Sequence, residues 1–129
     1  MTADRDRLYT VTELAALLGV TARAIRFYET KGLLSPQRAG STRVYSYRDR
    51  ARLQLILRSK KLGFSLADIR EYLDLYDPTS GQAEQQRLLL RKVRGRIASL
   101  SQQQEALEST LAELRDLEAT AERALQKGR

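Results

Sequence analysis

The carboxyl-terminal part of the chain constrains the fold most strongly. Residues 82–125 contain no proline and a single glycine, Gly95, and their apolar side chains recur at alternating spacings of three and four residues. This is the heptad pattern of a coiled-coil seam, and it predicts one continuous helix with a length on the order of 65 Å. The predicted dimerisation residues of this seam are Leu90, Val93, Ile97, Leu100, Leu107, Leu111 and Leu114, and Ala121 and Leu125 continue the series.

A lone helix of this length has no surface against which to bury its apolar stripe, and the residues before it are too few to cover it. A second copy of the chain supplies the missing surface, so the pattern predicts a homodimer. Two polar residues, Gln104 and Glu118, interrupt the seam. We expect them to fix the register and the number of partners, and a ligand-binding role for Glu118 is the weaker alternative.

Two short helices joined by a tight turn are predicted near the amino terminus. Thr12 is the expected N-cap of the first, which ends at Gly19, and Thr21 is the expected N-cap of the second, which ends at Gly32. The pair matches a helix-turn-helix, although many protein cores contain similar pairs. The predicted apolar face of the first helix consists of Leu14, Leu17 and Leu18.

The second helix can turn Ala24, Ile25 and Tyr28 inward and leaves its basic residues outside. An arginine near the start of such a helix can enter the major groove and reach guanine edges, and a tyrosine hydroxyl suits a phosphate. Ordinary solvation is the alternative for the arginines, and core packing is the alternative for Tyr28. The candidate DNA contacts of this helix are Thr21, Arg23, Arg26, Tyr28 and Lys31.

Residues 33–46 predict a small hairpin, because Pro36 and Gly40 punctuate the segment and the following Thr-Arg-Val-Tyr run alternates as a strand does. Its tip is expected around residues 38–41 and its return strand at residues 43–45. A basic hairpin next to a recognition helix is a wing, which reaches the sugar-phosphate backbone or a minor groove. A plain connecting turn is the alternative.

Two capping boxes follow the hairpin. Ser46 and Asp49 are expected to open a helix that runs to about Leu62, and Ser65 and Asp68 to open another that runs to about Tyr76. The apolar residues that these helices are expected to bury are Leu53, Ile56 and Leu57 in the first and Leu66, Ile69, Tyr72 and Leu73 in the second.

The predicted fold class is mainly α, with a winged helix-turn-helix head followed by a long dimerisation helix. The turn-forming residues at 77–81 mark the boundary. The predicted organisation is an amino-terminal tail at 1–9, a winged helix-turn-helix domain at 10–77, a linker at 78–81, a coiled-coil helix at 82–125 and a carboxyl-terminal tail at 126–129.

Charge is concentrated in the predicted head. Residues 21–61 carry eleven Lys and Arg against Glu29 and Asp49, a net +9, while the whole chain has a net charge of +7. Clustered basic residues gain from releasing the counterions of a polyanion, so double-stranded DNA is the expected partner. A merely solvated basic face is the alternative.

The composition excludes several other functions. The chain has no cysteine and no histidine, which removes disulfides, thiolate metal sites and imidazole catalysis, and no phosphate-binding glycine loop is present. We therefore expect no enzyme activity, no catalytic or metal site and no cofactor. No apolar run could span a membrane and the amino terminus has no signal-peptide core, so the expected location is cytoplasmic.

The segments TVTELAALLGVTARAIRFYETKGLLSP, RVYS and KKLGFSLADIREYLDLYD resemble the MerR family of transcriptional regulators over residues 9–77. The resemblance implies a homodimer whose long helices pair antiparallel and hold two winged heads on successive major grooves of a pseudo-palindromic operator. It further implies that the protein bends and undertwists promoter DNA, and so acts on RNA polymerase indirectly.

By position in the family motif, Arg23 and Arg26 fall at DNA-facing sites, Tyr28 and Arg43 at backbone-contacting sites, and Lys60 near flanking phosphates. Tyr45 and Arg48 complete the candidate DNA-binding set. Thr42 stands where the family wing often has an aromatic residue, so the tyrosine contact expected there is lost or displaced. Family members that sense metals or redox state use cysteines, which this chain lacks, and we expect no ligand-binding domain after the long helix.

Residues 53–77 are similar to the branch of the family that controls genes for branched-chain amino-acid and fatty-acid degradation. That similarity implies an acyl-CoA-like effector, and DNA binding without any effector is the alternative. The predicted function is sequence-specific transcriptional regulation. Two other classes remain open, a nonspecific architectural DNA-binding protein and a coiled-coil adaptor whose basic head binds an acidic protein.

Overall fold

The computed structural model describes residues 6–75 and 82–128. The chain divides into two compact units, residues 1–74 and residues 75–129, which we call the head and the arm. In the part of the chain that the structure describes, no helix is long and apolar enough to cross a membrane.

In the described part of the head, from residue 6 onwards, there are four helices and one hairpin, which confirms the predicted fold class. Its two strands pair antiparallel with Arg38 opposite Arg43. The elements of the head are α1 (Val11–Leu18), α2 (Ala22–Thr30), β1 (Gln37–Ala39), β2 (Thr42–Val44), α3 (Tyr47–Lys61) and α4 (Leu66–Asp74).

Thr10, and not the predicted Thr12, is the N-cap of α1. The Thr10 hydroxyl accepts a hydrogen bond from the Glu13 N–H at 3.1 Å, and the Glu13 carboxylate accepts one from the Thr10 N–H at 2.9 Å. This second bond lowers the pKa of the Glu13 carboxyl. The helix ends as predicted at Gly19, whose φ of 70° is the left-handed conformation that glycine adopts without strain.

The capping boxes predicted for the later helices are present. The Ser46 hydroxyl accepts from the Asp49 N–H at the start of α3, and the Ser65 hydroxyl accepts from the Asp68 N–H at the start of α4. Each box satisfies backbone donors that a helix end leaves without partners, so both helix starts are fixed locally by sequence.

An apolar core lies where the helices of the head meet. The expected apolar face of α1 is only partly correct, because Leu14 is fully buried while Leu17 is exposed. Leu57, Leu66 and Tyr72 pack at the edge of the core rather than inside it. The buried residues of the core are Tyr9, Leu14, Ala15, Ile25, Leu33, Leu34, Tyr45, Leu53, Ile56, Ile69 and Leu73.

The residue before the predicted start of the winged domain is part of the core. Tyr9, assigned to a tail at 1–9, is buried and forms an isolated bridge with Tyr45 through two backbone hydrogen bonds of 2.8 Å. The winged domain is predicted to end at residue 77, and a linker is predicted at 78–81. Residues 76–81 lie outside the described residues.

The described part of the arm contains the helix α5 (Ala83–Lys127), which is 45 residues long. It continues two residues beyond the predicted end at 125, and at 1.5 Å per residue it measures roughly 68 Å. Of the seven predicted seam residues, Val93 is half-buried and the other six are between 38% and 61% exposed. The helix therefore presents an apolar stripe along its length.

Candidate nucleic-acid interface

The turn between α1 and α2 sets the orientation of the second helix. The Thr21 hydroxyl accepts a hydrogen bond from the Ala24 N–H at 3.0 Å, which confirms Thr21 as the N-cap. One turn later Ile25 is fully buried in the core. Because the cap and Ile25 fix both the start and the rotation of α2, its opposite face points to solvent.

The outward face of α2 carries two arginines in its first half. Arg23, Arg26, Phe27 and Thr30 are all exposed and fall within about 100° of one another at the α-helical spacing. The Thr30 hydroxyl donates to the backbone carbonyl of Arg26 at 3.0 Å. Both guanidinium groups predicted to read DNA thus lie on the accessible side of the recognition helix, next to an apolar ring.

Tyr28 and Lys31 differ in their surroundings. Tyr28 is half-buried and packs against the core, while the contact of its hydroxyl with a phosphate stays a prediction. Lys31 is exposed at the C-cap of α2, with its Nζ 5.5 Å from the centre of the Phe27 ring. Its ammonium group extends the basic surface to the carboxyl end of the helix.

The wing is the hairpin β1–β2. Gly40, with a φ of 67°, forms its tip, and all three residues of β1 are exposed. Arg38 and Arg43 are direct neighbours across the two strands. Two like charges in this position destabilise a hairpin unless one of them is neutralised.

Glu29 supplies that neutralisation from α2. The Arg43 Nε donates a hydrogen bond to Glu29 Oε1 at 3.0 Å and forms an ion pair with Oε2 at 2.8 Å, and both side chains are half-buried. Arg43 was predicted as a contact to the DNA backbone, and the structure instead gives it a partner within the head. The ion pair ties the wing to the recognition helix, while Arg38 remains exposed on the other strand.

Tyr45 cannot contact DNA, and that prediction is wrong. Its side chain is 0% exposed, because the bridge to Tyr9 draws it into the core. Burial raises the pKa of the Tyr45 phenol, and the nearby Glu29 carboxylate raises it further. Tyr45 is therefore a neutral core residue at the base of the wing.

Four basic residues of α3 form two groups. The predicted contacts Arg48 and Lys60 are exposed, near the start and the end of α3. Two further arginines bind within the head instead: Arg50 Nη1 donates to the Tyr9 hydroxyl at 2.9 Å, and Arg52 Nε donates to the Leu33 carbonyl. The surface that can meet a polyanion is therefore smaller than the count of basic residues indicates.

We expect the ion pair between Glu29 and Arg43 to stabilise the head measurably. Because the two side chains are only 21% and 35% exposed, replacing both with alanine, singly and together, should give a coupling of about 1 kcal/mol in the free energy of unfolding. Urea denaturation of the three variants measures it. Arg48→Ala, at an exposed site, is the control and should change stability by less than about 0.5 kcal/mol. Additive single effects would contradict the coupling.

Sequence reasoning missed two residues of this surface. Phe27 has no predicted role, yet its position relative to the buried Ile25 places it on the outer face. Arg38 is predicted only to lie at the tip of the wing, without a role in binding DNA. The alternation of the strand alone could not show which of the wing arginines would be held by a carboxylate.

The recognition helix exposes two arginines, begins at the Thr21 cap and is linked to a basic wing by an ion pair. These features define a winged helix-turn-helix DNA-binding protein. Two family models match the chain. One, described as MerR HTH family regulatory protein, covers residues 9–75, and one described as MerR, DNA binding, covers residues 50–117. The chain belongs to the MerR family.

Similar proteins agree with this assignment. The HTH-type transcriptional regulator CueR of Escherichia coli O6:H1 is 33% identical over 77% of this chain and 73% of its own length. A MerR family transcriptional regulator from Bacillus cereus has a crystal structure that covers 85% of this chain and 79% of its own, with 28% identity and a TM-score of 0.66. HiNmlR, a MerR family regulator lacking the sensor domain and crystallised bound to promoter DNA, has 29% identity, coverage of 82% and 85%, and a TM-score of 0.58.

These relatives are transcriptional regulators and not enzymes. The function predicted from the sequence is thereby confirmed at the level of class: the chain is a DNA-binding transcriptional regulator of the MerR family.

Proposed function

We propose that the protein acts as a homodimer that presents two heads to the two halves of an inverted-repeat operator in a promoter. The observation that carries this proposal is the stripe of exposed apolar side chains along the 45-residue helix α5. Burying a large apolar side chain contributes about 1.5–3 kcal/mol, so a second copy of the stripe is the partner of matching length and spacing.

The charge distribution of α5 favours antiparallel pairing. Residues 83–104 carry five Lys and Arg and one Glu, a net +4, whereas residues 105–127 carry six Asp and Glu and three Lys and Arg, a net −3. Antiparallel helices bring the basic half of each copy beside the acidic half of the other. Parallel helices would place like charges together.

A spin label placed at residue 87 should report this orientation. In antiparallel pairing the two labels lie at opposite ends of the seam, several tens of ångströms apart, whereas in parallel pairing they are neighbours. The chain has no native cysteine, so an Arg87→Cys variant can be labelled at one position and the distance measured by pulsed electron resonance. A label at Gln102, near the middle of the helix, should give a short distance in either case and is the control.

Deformation of the operator is part of the same proposal. Two heads fixed to paired helices bind successive major grooves only if the DNA between them has the right length and twist. A dimer that binds through many phosphate contacts can supply the few kcal/mol that bending and undertwisting require. Its effect on RNA polymerase is then indirect, through the shape of the promoter.

The proposed signal is an acyl-CoA-like metabolite, and it rests only on the similarity of residues 53–77 to regulators of amino-acid and fatty-acid degradation. Titrating such thioesters into the complex of protein and operator should change the affinity or the bend of the DNA. Unchanged binding would favour the alternative, a regulator that binds DNA without an effector.

Selection of binding sites from genomic DNA with the purified protein, followed by footprinting of the strongest site, tests the main proposal. An inverted repeat between promoter elements, preferred over random DNA by roughly 10³-fold or more, is the expected result. Salt-dependent binding without such a preference would identify an architectural protein. Binding to no DNA would leave the coiled-coil adaptor.

A further inference from the structure

The outer face of the recognition helix α2 contains one large apolar residue among its basic side chains. Attraction between charged groups and DNA does not account for an apolar side chain at this position. Phe27 is 46% exposed and lies one helical turn after Arg23 and one turn before Lys31. The ring lies outside the core, which Ile25 and Tyr28 already face, and nearly half of its surface stays in water. The ring is therefore available to a partner that approaches the arginines.

The orientation of this ring is fixed from two sides. It meets the ring of Tyr28 edge to face, with the ring centres 5.6 Å apart and the planes at 67°, and Tyr28 in turn packs against the core. The Lys31 Nζ lies 5.5 Å from the centre of the Phe27 ring, within the range of a cation–π contact. Phe27 thus has a defined position instead of moving freely over the surface.

We propose that Phe27 contacts the 5-methyl group of a thymine in the operator and so selects an A·T pair at that position. Phosphates and most groups on base edges are polar or charged and gain nothing from a phenyl ring. The thymine methyl is the apolar group that the major groove displays, and phenylalanine is among the side chains that contact it. The proposal rests on the DNA-binding function proposed above, and it adds a specificity residue between Arg23 and Lys31.

Replacing thymine with deoxyuridine tests the contact directly, because the change removes the methyl group and leaves every hydrogen-bonding atom of the base in place. Each thymine of one operator half-site is replaced in turn, and the affinity of the unaltered protein is measured. At one position the affinity should fall about fourfold, the equivalent of about 0.8 kcal/mol for one methyl-sized group removed from water.

The same set of operators is then measured with Phe27→Ala and with Arg23→Ala. Phe27→Ala should bind the thymine and uracil forms of that position equally well, whereas Arg23→Ala should bind more weakly but keep the fourfold difference. Phe27→Leu, which retains an apolar side chain, should keep part of the fourfold difference between the thymine and uracil forms.

Two results would overturn the inference. In the first, the unaltered protein is insensitive to deoxyuridine at every position of an operator that it prefers over random DNA; this leaves the proposed function intact. In the second, Phe27→Ala shows the same sensitivity as the unaltered protein, which would assign the methyl group to another residue. Absence of any preference for the operator would instead overturn the proposed function together with this contact.

Discussion

Replacing Leu107 and Leu111 with aspartate should convert the protein to monomers and reduce its affinity for the operator at least about 100-fold. Both side chains lie on the exposed stripe of α5, and pairing of the stripe would bury four new charges at the centre of the interface. A charge without a partner in an apolar environment costs far more than the leucine contact contributed. The helix would then remain unpaired.

The loss of affinity follows from the linkage between the two heads. In a dimer, binding of the second head is intramolecular and occurs at a millimolar effective concentration, which raises affinity by about 10²–10⁴-fold over a single head. Monomers lose this advantage. Sedimentation should give a mass near 14.7 kDa in place of twice that value, and a gel-shift titration should measure the weaker binding.

Gln102→Asp together with Ser109→Asp is the matched control, since these positions add the same two charges to the opposite face of the same helix. This variant should remain a dimer and bind the operator with nearly unchanged affinity. If the leucine variant stays dimeric, or if the control dissociates equally, the seam has been placed on the wrong face.

Replacing Arg23 with alanine should relax sequence specificity at one base pair by about 1–3 kcal/mol, which is roughly a 5- to 150-fold loss of discrimination. Arg23 lies in the first turn of α2, exposed on its outer face. An arginine there can donate two parallel hydrogen bonds to a guanine, and no other base pair presents two acceptors in that arrangement. The measurement is the affinity of each protein for operators altered at one position at a time.

Arg38→Ala on the wing is the comparison for this experiment. Arg38 is exposed on β1, where a phosphate is the expected partner. Its loss should weaken binding to all sequences equally and reduce the dependence of affinity on salt. A uniform loss for Arg23→Ala as well would assign that side chain to the DNA backbone.

The overall fold could be predicted from the sequence because its signals are local. The capping boxes of α3 and α4 each lie within four adjacent residues, and the heptad pattern of α5 repeats within one element; all of them correspond to observed elements. The N-cap of α1 was misplaced although a local signal existed: Thr10 has Glu13 three residues later, which completes a capping box, whereas Thr12 has Ala15 in that position.

The errors at the interface have a different origin. Whether Tyr45 faces the core or the DNA depends on its bridge to Tyr9, 36 positions earlier in the chain, and whether Arg43 is available depends on Glu29 in another element. Such contacts between distant residues are set by tertiary packing, which neither spacing nor composition encodes. The exposure of Arg23, Arg26 and Lys31 agrees with the sequence pattern, whereas the partners of individual side chains required the structure.

The ion pair between Arg43 and Glu29 has a mechanical consequence. Because the pair links the wing to the recognition helix, the wing can pivot away from α2 only by breaking it, at the cost of about 1 kcal/mol expected above. Bending a short stretch of DNA costs about 1–6 kcal/mol, which is as much or more. Under the proposed function, elastic strain in a complex is therefore shared between the wing and the promoter, and the strength of this one pair determines how the strain is divided.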